Sequence, residues 1–124
     1  MKKLTIPILA SALWLVAPAG AQQFTPQQVQ AAQLMNLLDE PGKANTAFTA
    51  LSIDRCNLTT GNAFDDEVLT IATVAMITNG DSGAAQGVAL FRDKVGDISD
   101  PYSDAYRSGC RSALLMSGGV LQRK

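Results

Sequence analysis

The 124-residue chain contains no histidine. That single absence removes the commonest general base and one of the commonest zinc ligands. Catalysis by Ser-His-Asp or Cys-His groups is excluded with it. A serine–lysine site would need a paired lysine. Beyond the first 21 residues the lysines are Lys43, Lys94 and Lys124, and none completes an SxxK pattern. Aromatic residues make up only 6% of the chain, and the single tryptophan is Trp14. Long apolar runs are also scarce. The longest beyond residue 21, Val68 to Ile77, is broken by two threonines and is too short to span a membrane. No phosphate-binding loop is present. Asn79-Gly80-Asp81-Ser82-Gly83 matches neither the Walker pattern nor the dinucleotide fingerprint, and it reads as a connector.

The N-terminus carries the clearest positive signal. Met1-Lys2-Lys3 is basic, Leu4 to Val16 is almost wholly apolar, and Pro18 breaks the run ahead of Ala19-Gly20-Ala21. These are the three regions of a secretory signal peptide, whose peptidase admits only small side chains at two positions before the cut. The pattern predicts cleavage after Ala21 and a periplasmic or secreted product beginning at Gln22. The apolar run is shorter than the roughly 20 residues of a spanning helix. The residue immediately after the cut is Gln22 and not cysteine, which argues against a lipid anchor.

The remaining residues, 22–124, suit one domain with a modest core. Without Lys2 and Lys3 they hold 8 basic and 11 acidic residues, a net charge of −3. Nucleic-acid binding needs clustered Lys and Arg, and binding to anionic lipid needs a basic amphipathic stretch. Neither is expected here. Cys56 and Cys110 are the only cysteines. In an exported chain an even pair reads as a disulfide, and the wide spacing argues against a CxxC redox site. Closing a loop of that length contributes about 4 kcal/mol in the chain-entropy model.

The pattern of elements predicts a compact all-α bundle of four or five short helices stapled by Cys56–Cys110. A first helix opens at Thr25-Pro26-Gln27-Gln28, with a capping box and proline in its first turn, and Pro41-Gly42 stops it. Ala44 to Leu51 suits a short helix, followed by a loop or short extended piece holding Cys56. A second clear helix is expected from about Phe64 to Asn79. Its Val, Ile and Thr content would also suit a strand, but its length and end signals favour a buried helix. A third spans Ser82 to Val95. Gly87 inside it costs about 1 kcal/mol relative to alanine, and close approach of a neighbouring helix would explain it. The last opens at Ser99-Asp100-Pro101 and runs to about Met116. Residues 120–124 read as a frayed tail.

Few residues stand out as candidate chemistry. Asp65, Asp66 and Glu67 form the densest acidic group, and they suit the first turn of a helix, where the dipole favours negative charge. Asp93, Asp97, Asp100 and Asp104 surround a turn and resemble a calcium-binding set, but they lack the EF-hand order. Asn57-Leu58-Thr59 matches the minimal glycosylation sequon. Arg107 and Arg111 lie one helical turn apart on a charged stripe opposite the apolar face. They are candidate anchors for an acidic protein partner, set against an intrahelical pair with Asp104.

The expectation is therefore a small exported, non-enzymatic protein that binds another protein, as an inhibitor, immunity-like or chaperone-like accessory factor. No metal or cofactor motif is present. One alternative is a carrier of a small apolar ligand held by Val68–Ile77 with Met35, Met76 and Phe91. Another is an enzyme built on the two carboxylate groups.

Overall fold

The computed structural model describes residues 23–96 and 103–124. Five helices and one two-stranded ladder follow in the order α1 (Pro26–Leu37), α2 (Glu40–Arg55), β1 (Leu58–Thr59), α3 (Ala63–Thr78), α4 (Ser82–Val95), α5 (Asp104–Met116) and β2 (Gln122–Arg123). The expected all-α bundle and the Cys56–Cys110 bond are both present. Met1 to Ala21, the expected signal peptide, lies outside the described residues.

Local chemistry sets the helix starts. Thr25 accepts from the Gln28 amide at 3.1 Å while the Gln28 side chain accepts from the Thr25 amide at 2.9 Å, so the expected capping box forms. Pro41-Gly42 does not act as the stop signal read from the sequence. Asp39 caps α2 through the Gly42 amide at 2.8 Å, and Pro41 sits in the first turn. A proline is tolerated there because that turn's amides have no partner within the helix. The short helix expected over Ala44 to Leu51 is therefore extended at both ends. Cys56 forms its C-cap, and Asn57, with φ 57°, turns the chain into β1.

Asn62 caps α3 and Asp81 caps α4. The α3 segment is a helix, but it is buried on one side only. Val68, Ala72, Thr73 and Met76 face the core, whereas Val74 and Ile77 are 58% and 46% exposed. α4 has the expected limits, and Gly87 has the expected role. A β-carbon on it would stand 2.2 Å from the Ala44 carbonyl oxygen and 2.8 Å from the Ala47 β-carbon. Small residues thus let α2 and α4 pack backbone to backbone. Lys43 and Asp81 tie the same seam at 2.8 Å, and Ser82 donates to Glu40 at 2.6 Å.

The start of α5 differs from expectation. Asp100 and Pro101 lie outside the described residues, and the cap is Ser103, which accepts from the Tyr106 amide at 3.1 Å. The expected frayed tail is also overturned. Leu121 is only 5% exposed, and β2 pairs antiparallel with β1, Leu58 opposite Arg123 and Thr59 opposite Gln122. The buried Leu121 side chain and the ladder hydrogen bonds hold this segment against the body of the domain.

The core has three parts. Ala31, Ala47, Val68, Ala72, Met76 and Ala84 join α1 to α4. Phe48, Phe91, Val95, Tyr106 and Ala113 join α2, α4 and α5, with Phe48 and Phe91 edge to face at 5.8 Å. Ile53, Leu58 and Leu121 seat the ladder beneath the disulfide.

Candidate functional site

The C-terminal end of α2 must find partners for carbonyls that the helix leaves open. Tyr106 on α5 supplies one: its buried ring enters the core and its hydroxyl donates to the Arg55 carbonyl. The disulfide adds a covalent tie one residue on, with the Cys56 and Cys110 α-carbons 5.4 Å apart. The Lys124 amide then donates to the Asn57 carbonyl at 3.2 Å, holding β2 against the turn.

These three ties gather basic side chains that lie far apart in the sequence. Arg55 ends α2, Arg107 and Arg111 stand on α5, and Arg123 sits in β2. They line one cleft of about 340 Å³, together with Leu58, Tyr106, Leu114 and the two half-cystines. The chain has five arginines, so the cleft concentrates four of them. On α5, positions 107, 110, 111 and 114 follow the i, i+3, i+4, i+7 spacing of a single helix face. Arg107 and Arg111 therefore flank the core stripe, where the sequence reading set them opposite it.

The arginines differ in their pairing. Arg55 bonds Asp54 at 2.8 Å, and Arg107 bonds Asp104, the expected intrahelical pair. Arg111 and Arg123 are exposed and meet no carboxylate within ion-pair distance among the described residues. A guanidinium cannot lose its proton at ordinary pH, so the cleft keeps a positive face on an acidic body.

The other sequence candidates do not converge. Asp66 turns away from solvent into the β1–α3 loop. It accepts from the Thr59 hydroxyl, from the Thr60 amide at 2.8 Å and from the Thr60 hydroxyl at 2.7 Å. Burial works to raise its pKa. The Thr59 and Thr60 bonds and the nearby Lys124 charge outweigh that effect, and the carboxyl lies below its usual range. Glu67 instead accepts from Gln27 at 3.2 Å, and Asp65 is exposed. Asp97 and Asp100 lie outside the described residues, while Asp93 and Asp104 are exposed. No group of three potential metal ligands occurs among the described residues. Met35 and Met76 belong to one core cluster and Phe91 to another, so the residues expected to line a ligand pocket do not share one space.

Sequence reasoning found Arg107 and Arg111 but missed Arg55, Arg123 and Tyr106. Their sequence context reads as a loop for Arg55 and as a tail for Arg123. Each joins the cleft through contacts that cross more than half of the domain. The available signal was the position of Arg55 immediately before Cys56, since a residue next to a half-cystine is carried to the bridge. Compared with protein-family models, curated proteins and solved structures, the chain matches none.

Proposed function

We propose that the protein is an exported, non-enzymatic binding protein that engages an acidic surface of another protein through the arginine cleft. The carrying observation is the gathering of four arginines around one cleft, two of them without an acidic neighbour among the described residues. Export is supported by the three-part pattern of Met1 to Ala21 and is compatible with the disulfide. No helix among the described residues is long and apolar enough to cross a membrane. The absence of histidine and of a free thiol supports binding over catalysis.

Magnitudes favour a cooperative site over single contacts. One exposed ion pair contributes less than about 1 kcal/mol, because water screens it and side-chain entropy opposes it. Several guanidinium groups line one partly apolar cleft, where they act together on one partner group. Arginine is also enriched where binding energy concentrates. The test is chemical cross-linking in the native compartment, comparing the wild type with an Arg111→Glu/Arg123→Glu double variant. One discrete cross-linked product, lost in the variant, is expected. Recovery of only the monomer, or of the same product from both proteins, would overturn the proposal.

A further inference from the structure

We infer that the group seated in the arginine cleft is a carboxylate on a short apolar body, supplied by the C-terminal residue of the partner chain. This inference rests on the protein-binding reading above and names the chemistry by which it works.

Three features select that ligand. The first is size. At about 340 Å³ the cleft lies at the small end of ligand-binding pockets and has room for one residue. The second is mixed chemistry. Arg111 and Arg123 offer planar donor forks that match a carboxylate, while Leu58, Leu114 and the disulfide supply apolar wall. The third is the charge of the body. Residues 22–124 carry −3 net, so the positive cleft is a local exception and not part of a basic stripe that could follow a polyanion.

A chain end satisfies these conditions better than an acidic side chain. In a C-terminal residue the carboxylate and an apolar side chain diverge from one α-carbon. The carboxylate meets the guanidinium groups while the side chain covers Leu58 and Leu114. An aspartate or glutamate carries its charge at the tip, with no apolar group beside it. A chain end also brings only one strand of backbone to the mouth, so less of the partner must be fitted around the rim.

The experiment is calorimetric titration of the oxidised protein with an acetylated tripeptide ending in leucine, once as the free acid and once as the C-terminal amide. The free acid is expected to bind at least tenfold more tightly than the amide. Arg111→Ala and Arg123→Ala should each weaken the acid at least tenfold, and Arg111→Lys should recover only part of the loss. Arg92→Ala, on α4 and outside the cleft, should leave binding unchanged, with circular dichroism checking that each variant folds. Equal binding of acid and amide, or inorganic phosphate binding as tightly as the acid, overturns the carboxylate assignment. If neither peptide binds while the whole protein still gives the arginine-dependent cross-link, the chain-end inference falls and the protein-binding reading stands. If both experiments fail, both readings fall.

Discussion

A half-buried carboxylate and a buried hydroxyl show opposite solutions to the same problem. Asp66 loses hydration but gains bonds from Thr59 and Thr60 that favour its charged form. Its folded pKa lies below 3.8, so the stability it contributes is present above that pH and is lost as pH falls through the lower folded value. Asp66→Asn should lower stability at neutral pH by about 1–2 kcal/mol. The gap to wild type should close as chemical denaturation is repeated below pH 3.8. Thr73, in α3, has the contrary arrangement: its hydroxyl oxygen is buried without a hydrogen-bond partner among the described residues. Thr73→Val keeps the shape and removes that orphan group. An increase of about 1 kcal/mol is expected, read as a higher midpoint in urea.

At the scale of elements the α2–α4 seam governs packing. Its closeness depends on Gly87 facing Ala44 and Ala47. Gly87→Ala would relieve backbone entropy in a helix interior by about 1 kcal/mol. The added methyl would also meet a backbone carbonyl that cannot move without displacing α2. Overpacking of this kind costs about 1–3 kcal/mol or more, so net destabilisation is expected in thermal unfolding. This seam was legible in the sequence. A glycine inside an otherwise good helical pattern signalled close approach, and the expected limits of α4, Ser82 to Val95, are the observed ones. The capping box of α1 was legible for the same reason, because both partners lie within three residues. Pro41 misled because proline ends one helix and begins the next with equal chemical sense. Only the Asp39 bond to Gly42 decides between them, and it depends on the backbone already having turned. The cleft was half legible: Arg107 and Arg111 lie on one helix, whereas Arg55 and Arg123 reach it through tertiary contacts that periodicity does not encode.

For the whole molecule, the disulfide and the β1–β2 ladder join regions separated by more than 50 residues. Both lie at the same end of the bundle, around the arginine cleft. Replacing Cys56 and Cys110 together by serine should lower stability by about 2–4 kcal/mol, measured by denaturant unfolding of the oxidised and variant proteins. The helical core should persist at low denaturant, since the first cluster lacks both cysteines and the second meets them only as partly buried neighbours. Loss of the tripeptide's binding should be larger than the loss of helix content, because the arginines of α5 and of the α2 end would no longer share a covalent tie.

The pairing of β2 with β1 also has a consequence in time. Local helices form in microseconds or less, whereas closing a loop across most of a domain is slower and costs entropy before any contact repays it. Arg55 emerges early from the ribosome, but Arg123 can take its place only after Leu121 has found its seat near Leu58. The cleft is therefore among the last features to be completed. A chain still being made, or one not yet oxidised, would carry its helices before it carried a finished cleft.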